Sequence, residues 1–190
     1  MVINLDASIQ KFEVPIKDLK IKVNNEFTYS WYKSNQIMHT KGGYDGKLLH
    51  GSYAEFYLNN NLKEKGTYKK GLKNGEWKLW YENGQLKEIA KYCCGLRQGK
   101  MESFDENGIL IFEASFKKGK LHGKTISYEN GKILEKHNYK KGIEVFQKPG
   151  KIKKEKPSEK IPENKPAEKE RDKGDQEIKP IPKDPKISKG

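Results

Sequence analysis

Cysteine is scarce in this sequence of 190 residues: there are two, and they are adjacent, Cys93 and Cys94. Adjacent cysteines suit neither a structural disulfide framework nor the paired ligands of a zinc site, and they favour a reducing compartment. No apolar run is long enough to span a bilayer, and the first residues lack the basic and apolar regions of a secretory signal. We therefore expect a soluble, cytoplasmic protein without a transmembrane segment, although a leader removed ahead of Met1 would change the compartment.

Patterns typical of catalysis are also missing. The chain has four histidines, at His39, His50, His122 and His137. No pair of them has the spacing of a metal site, and no Ser-His-Asp, Cys-His or phosphate-loop pattern occurs. The sequence therefore predicts a protein that is not an enzyme, with no catalytic residues, no metal site and no cofactor.

Aromatic residues are absent from the last quarter of the chain. From Gln147 to Gly190 there is no Phe, Trp or Tyr, while seven of the eight prolines lie there. The same segment has 14 basic and nine acidic residues, so it holds +5 of the net charge of +13 and leaves +8 on residues 1–146. Such a segment buries too little apolar surface to offset the entropy of ordering it. We predict a disordered tail over residues 147–190, and a basic folded part that suits acidic partners.

The folded part contains a segment of about 24 residues that recurs along the chain. Its clearest copy runs from Tyr68 to Leu86, and further copies begin at Tyr92 and Phe116. An earlier copy begins at Tyr44, and Trp31 opens a degenerate first copy. The positions that define the repeat are Gly75, Trp77, Tyr81, Asn83, Gly84 and Leu86, with Gly99 and Gly123 at the place of Gly75 in the next two copies.

The Asn-Gly pair of each copy predicts a β-hairpin, because both central residues of a type I′ turn need a positive φ. A two-residue turn at Asn83-Gly84 would pair Tyr81 with Leu86 and Trp77 with Ala90. The second of these pairs sets a small residue opposite a large one, as do Tyr53 with Gly66 and Met101 with Ala114 in other copies. This alternation indicates packed side chains.

The alternation of residues along the hairpin predicts two different faces. Trp77 and Tyr81 lie on an apolar face, which we expect to be the core, while Lys78, Lys87 and Trp80 lie on a charged face. The fourth copy has one residue fewer between Gly123 and its Asn-Gly turn. Counting back from that turn places Tyr128 at the position of Tyr81, which keeps apolar residues on the core face.

Hairpins joined in this way predict an all-β fold, a single elongated antiparallel meander sheet of tandem β-hairpin repeats. We expect capping strands in residues 1–30, with one strand on each side of Pro15, the second through Leu19, Ile21, Val23 and Phe27. Hairpin repeats then occupy residues 31–146, and the disordered tail occupies residues 147–190.

The repeat resembles the MORN-repeat variant of bacterial proteins named YwqK-family antitoxins, and the resemblance covers Trp31 to Phe146. It rests on the glycine, aromatic and Asn-Gly positions given above. Three positions depart from the pattern: Lys47 where a glycine is expected, Asp105 at the position of Tyr81, and Asn60 in place of the turn glycine. The resemblance implies an antitoxin or immunity role.

Aromatic residues on the charged face suggest how the chain acts. Exposed aromatics set among charges are typical of protein interfaces, so we predict partner binding at Phe56, Trp80 and Phe104 with Lys78 and Lys87. The alternative is that these aromatics fill a second cluster between adjacent hairpins or under the N-terminal cap.

We therefore predict a non-enzymatic scaffold that binds a protein partner, either a toxin or a subunit of a larger complex in which the chain is a structural component. Nucleic acid or an anionic membrane surface is the less favoured partner, because basic and acidic residues alternate along the repeats.

Overall fold

The computed structural model describes residues 1–5 and 7–146, and the regular secondary structure in them is all β-strand. The strands are β1 (Val2–Asn4), β2 (Ile9–Phe12), β3 (Thr28–Lys33), β4 (Gln36–Lys41), β5 (Lys47–Leu48), β6 (Gly51–Phe56), β7 (Leu62–Lys69), β8 (Leu72–Trp80), β9 (Leu86–Cys93), β10 (Leu96–Phe104), β11 (Leu110–Lys117), β12 (Lys120–Glu129), β13 (Lys132–Lys140) and β14 (Ile143–Glu144). The predicted all-β class is confirmed. The predicted disordered tail lies outside the described residues.

Eleven of these strands form one antiparallel sheet in the order β1-β2-β6-β7-β8-β9-β10-β11-β12-β13-β14. From β6 onward each strand pairs with the next in the chain, which confirms the predicted hairpin meander. The hairpin β3–β4, which contains the degenerate first copy, lies apart from this sheet. Together with β5 it forms a second sheet in the order β4-β3-β5.

The N-terminal segment forms fewer strands than we predicted. Strands β1 and β2 extend the long sheet at its edge, because β2 pairs with β6. The second expected strand is absent, since residues 13–27 contain no strand. The apolar residues Leu19, Ile21 and Phe27 pack as an irregular segment against a buried cluster instead. Their alternation therefore reflected burial and not strand pairing.

Successive hairpins are joined by two-residue turns in which both residues have positive φ, as in a type I′ turn. Lys70 and Gly71 have φ values of 54° and 77° between the paired residues Lys69 and Leu72. The same geometry recurs at the next connectors, at Cys94-Gly95, Lys118-Gly119 and Lys141-Gly142. Each connector also bonds to the one before it; Gly95 N, for example, donates to Lys73 O at 2.9 Å.

The turn at Asn83-Gly84 is longer than we predicted, and the prediction of a two-residue type I′ turn there is wrong. Tyr81 N donates to Gln85 O at 2.8 Å, so the loop has three residues and Gly84 alone has a positive φ, of 87°. Leu86 consequently pairs with Trp80 and not with Tyr81. Such a loop needs a left-handed residue at one position, which glycine supplies.

The fourth copy is the one that has the two-residue turn. Asn130 and Gly131 have φ values of 51° and 73° between the paired residues Glu129 and Lys132. The missing residue therefore shortens the turn and leaves the strand register unchanged. Tyr128 pairs with Ile133, as Trp80 pairs with Leu86, so Tyr128 occupies the position of Trp80. Our assignment of Tyr128 to the position of Tyr81 is wrong.

Large and small residues alternate across the centre of the long sheet as predicted. Tyr53 pairs with Gly66, Trp77 with Ala90, and Met101 with Ala114. Gly66 is required for space, because a Cβ there would lie 2.2 Å from Cδ2 of Trp77. We call the face that carries Trp77 and these pairs the core face.

The three-stranded sheet packs on the core face at its N-terminal side. Tyr32 and Ile37 of this sheet pack against a cluster formed by Ile3, Phe12, Leu49, Tyr53, Tyr68 and Trp77. Leu72 of β8 packs against a second cluster, formed by Tyr29, Trp31 and Leu48. Ser30 N also donates to Gly71 O at 2.7 Å. We call β1, β2 and β6–β8 the covered half of the long sheet, and β9–β14 the open half.

Candidate interaction surface

Two of the aromatic residues that we predicted to bind a partner are buried. Trp80 is 8% exposed and Phe104 is 3% exposed. Each aromatic pairs with a leucine across its hairpin: Phe56 with Leu62, Trp80 with Leu86 and Phe104 with Leu110. The expectation that Trp80 and Phe104 are exposed is therefore wrong, and their burial agrees with the alternative, in which these aromatics fill a second cluster. The sequence of one hairpin does not contain the residues of the neighbouring hairpins, so it could not show this burial.

The other predicted partner-binding residues contact groups within the chain. Nζ of Lys78 lies 3.1 Å from a carboxylate oxygen of Glu76. Nζ of Lys87 lies 4.9 Å from the centroid of the Tyr81 ring, and Phe56 has Nζ of Lys11 at 5.2 Å. Exposed ion pairs contribute about 0–1 kcal/mol, and exposed contacts between a cation and an aromatic ring about 0.5–1 kcal/mol. A role of Phe56, Lys78 and Lys87 in partner binding stays a prediction.

Residues at repeated positions of the turns connect neighbouring hairpins. The turns lie at one end of the strands, and we call this side of the sheet the turn edge (residues 57–61, 81–85, 105–109 and 129–132). The Tyr81 hydroxyl donates to Phe104 O at 2.9 Å, and Tyr57 donates to Trp80 O at 2.9 Å one hairpin earlier. Nδ2 of Asn83 donates to Glu106 O at 2.9 Å. These bonds give Tyr81 and Asn83 a structural role that the sequence pattern alone did not specify.

Asp105 replaces the tyrosine of this position and closes its own turn instead. Its carboxylate accepts hydrogen bonds from the backbone N–H groups of Ile109 at 2.8 Å and Asn107 at 2.9 Å. These bonds favour the ionised carboxylate and lower the pKa of Asp105. The departure from the repeat pattern therefore changes a bond between hairpins into bonds within one hairpin.

Ion pairs that sequence reasoning missed recur on the sheet at the repeat spacing. The ammonium of Lys73 pairs with Glu64 and lies 3.9 Å from the centroid of the Trp77 ring. One copy later, Nη2 of Arg97 lies 2.9 Å from a carboxylate oxygen of Glu88. The recurring separation of nine residues between acid and base was the available signal. The pairs hold cations over aromatic rings, which stabilises the sheet.

The histidines contact backbone and side-chain groups that account for their positions. Nδ1 of His50 accepts the backbone N–H of Lys70 at 3.3 Å, and Nδ1 of His122 accepts that of Lys141 at 3.4 Å. His137 lies beside Glu144, whose hydrogen bond raises the pKa of the imidazole. Within residues 1–5 and 7–146, no three His, Cys, Asp or Glu side chains are grouped so that they could hold a metal ion.

The open half of the core face is the candidate interaction surface. Ala90, Met101 and Ala114 are buried there, and Tyr92, Phe112, Phe116 and Leu121 pack around them and stay partly exposed. Among the described residues, every member of this cluster belongs to the long sheet itself. Sequence reasoning missed this surface because it treated the core face as equally buried in every copy. The signal available in the sequence was the length of the N-terminal segment, which is too short to cover a sheet built from all the repeats.

The fold and its surfaces define the class of this chain as a tandem β-hairpin repeat protein. Four segments match the family model of the MORN repeat variant: residues 49–70, 73–93, 97–118 and 121–141. These four tandem segments are therefore similar to MORN repeats of the variant type, which are generally associated with binding to proteins or membrane lipids. Among proteins with curated functions, none matches the sequence. No helix in the described part of the chain is long and apolar enough to cross a membrane.

Proposed function

We propose that this chain is a protein-binding scaffold whose partner covers the open half of the core face. The observation that carries this proposal is the difference between the two halves of one repeating sheet. The chain's own three-stranded sheet packs on the covered half through Tyr32 and Ile37. The open half presents Phe112, Phe116 and Leu121 without such a layer among the described residues. Burying these side chains would contribute about 25 cal/mol for each Å² of apolar surface removed from water.

The partner that we propose is a toxin, which would give the chain an antitoxin or immunity role. A scaffold that inhibits a toxin by forming a stoichiometric complex needs no catalytic group. A structural component of a larger complex would also bind its partner through the open half, so the identity of the partner distinguishes the two roles. Co-expression with a toxic partner restores growth in the first case and has no such effect in the second.

Substitution on the open half tests the proposal. The full chain is used to capture its partner from native cells, and the purified pair is then measured by titration calorimetry. We expect Phe112→Ser to weaken binding about tenfold or more, which corresponds to about 1.4 kcal/mol. Ile111→Ser is the matched control, because Ile111 is the neighbouring residue of the same strand and is 39% exposed. Equal effects of the two substitutions, or none from Phe112→Ser, would contradict the proposal.

A further inference from the structure

The connectors lie at the other end of the strands, opposite the turn edge, and they carry pairs of lysines. We call this the connector edge, and it comprises residues 68–73, 91–98, 115–122 and 138–143. Three of its four connectors contain two consecutive exposed lysines: Lys69 with Lys70, Lys117 with Lys118, and Lys140 with Lys141. No carboxylate pairs with any of these six ammonium groups within the described part of the chain.

The two long edges of the sheet carry opposite charge. The connector edge has no Asp or Glu among its residues, and it has ten Lys or Arg. The turn edge has four acidic residues, Glu82, Asp105, Glu106 and Glu129, and one basic residue, Lys132. This separation of charge between the two edges is not apparent in the sequence, because basic and acidic residues alternate along each strand. Positive charge therefore faces solvent along one edge, where it attracts an anionic partner.

The shape of the connector edge favours a chain-like partner. Neighbouring strands lie about 4.8 Å apart, so the edge from β7 to β13 is roughly 29 Å long, with one connector every 10 Å or so. Neighbouring strands also rotate by about 20–25°, so six steps turn the edge through roughly 120–150°. At this average twist the connectors of one edge would face different directions, which favours a flexible chain over a flat membrane surface as the partner.

In three of the four connectors, the aromatic ring is buried or has a cation beside it. Tyr68 is buried, and Tyr92 has Nζ of Lys73 at 5.6 Å from its ring centroid. The Phe116 ring has the guanidinium carbon of Arg97 at 5.5 Å. Proteins that bind single-stranded nucleic acid combine basic grooves with exposed aromatic rings. Along these three connectors the exposed groups are mainly charges, which suits carboxylate side chains on an extended polypeptide.

We propose that the connector edge binds an extended acidic segment of a protein partner, along the lysine pairs of successive hairpins. This surface is separate from the open half of the core face, and it goes beyond the scaffold role proposed above. Binding along it depends on the salt concentration, because each contact is an exposed charge pair. The two surfaces can fail independently, since different substitutions and different probes test them.

Poly-L-glutamate of about 30 residues is the probe, and the full chain is the protein. The edge variant replaces Lys69, Lys70, Lys117, Lys118, Lys140 and Lys141 by Gln. The control variant replaces six tail lysines by Gln: Lys151, Lys153, Lys154, Lys156, Lys160 and Lys165. Both variants have a net charge of +7, six less than the +13 of the parent chain. We expect the edge variant to bind about tenfold more weakly than the control, with a shallower dependence on salt.

Equal loss in both variants would overturn the proposal, because attraction would then follow net charge alone. Tighter binding of a thymidine oligonucleotide or of phosphatidylserine vesicles through the same six lysines would also overturn it, in favour of a nucleic acid or a membrane. Circular dichroism of each variant establishes that the sheet is intact before binding is compared.

The two cysteines give an independent measurement on the unmodified chain. Cys93 and Cys94 are both exposed, and they occupy the connector between the first two lysine pairs. They are the only cysteines of the chain. We expect bound poly-L-glutamate to slow their alkylation by N-ethylmaleimide several-fold, and poly-L-glutamine to leave the rate unchanged. Alkylation at the same rate with and without bound poly-L-glutamate would place the acidic chain elsewhere.

Discussion

The covered and open halves of the long sheet are built from the same repeat, but they differ in the size of their core residues. The covered half fills its core face with Tyr53, Tyr68 and Trp77, all buried. The open half has Ala90, Met101 and Ala114 in its buried cluster. The difference lies at the position that pairs with a small residue: Tyr53 and Trp77 occupy it under the second layer, and Met101 occupies it in the open half. The hairpin geometry is the same in both halves, and the side chain at this position differs.

The largest expected effect compares Trp77 with Met101, which occupy equivalent positions in consecutive copies. Trp77 is fully buried, with the Tyr68 and Tyr53 ring centroids at 4.9 and 5.7 Å from its own. We expect Trp77→Ala to lower the free energy of unfolding by about 3–5 kcal/mol, and Met101→Ala by about 2 kcal/mol. Met101 lies in the half whose surface can relax into a cavity. Urea unfolding of both variants measures the difference.

Equal destabilisation by Trp77→Ala and Met101→Ala would break the comparison, because the second layer would then contribute nothing to the covered half. Trp77→Phe is a control that keeps an aromatic ring. It should lose less than Trp77→Ala if packing against the second layer is the cause.

The pH dependence of stability offers a second comparison of the two halves, and in the covered half it depends on Glu55. Burial opposes ionisation of Glu55, but hydrogen bonds from Lys63 at 2.9 Å and from Ser8, together with the Lys63 charge, outweigh it and lower its pKa. A lowered pKa stabilises the fold above the ordinary pKa of glutamate and loses that contribution as the pH falls through the folded-state value. We expect Glu55→Gln to be less stable than the parent at pH 7.

The stability difference between Glu55→Gln and the parent should shrink as the pH falls below about 4.5 and disappear in strong acid. Chemical unfolding at a series of pH values measures it. Glu113→Gln is the matched variant in the open half, where Lys100 and Tyr128 bond to a half-buried carboxylate. A difference that persists unchanged at low pH would show that ionisation of Glu55 is not the cause.

The smallest expected effect concerns the turn edge, where a tyrosine hydroxyl connects neighbouring hairpins in each half. Tyr57→Phe and Tyr81→Phe each remove one hydroxyl bond to the carbonyl of the next hairpin. We expect each to lower the free energy of unfolding by about 0.5–1.5 kcal/mol, and by similar amounts. Thermal unfolding compares them. A much larger loss for Tyr57 would extend the difference between the halves to the turn edge.

The repeat and its hairpins could be predicted from sequence because alternation and glycine positions are local properties. The turn type could not, because Asn-Gly suits both a two-residue turn and the end of a three-residue loop. The choice depends on which strand residues pair, as Trp80 with Leu86 shows. The connectors were harder still, because Lys70 and Cys94 adopt positive φ without being Asn or Gly. In these turns the pairing of the flanking strands determines the backbone.

The candidate surfaces were less accessible to sequence reasoning than the fold. Exposure of Trp80 and Phe104 depends on residues from neighbouring strands, which their own hairpin does not contain. The opposite charges of the two edges appear after the meander is folded, because the lysines of successive connectors are about 24 residues apart in sequence. The sequence lacks known catalytic patterns, and the preference for acidic partners that its charge indicates stays a prediction.

The shortened turn of the fourth copy has a consequence for how such a chain can change its length. A residue was removed at the turn edge without disturbing the pairing of β12 with β11, in which Ala114 lies opposite Thr125. The connectors have less freedom, since each is bonded to its predecessor through backbone atoms, whereas the turns are bonded to the next hairpin through side chains. Insertions and grafted peptides should therefore be tolerated best at the turn of the fourth copy, where they would project from the sheet while the row of lysines opposite keeps its spacing.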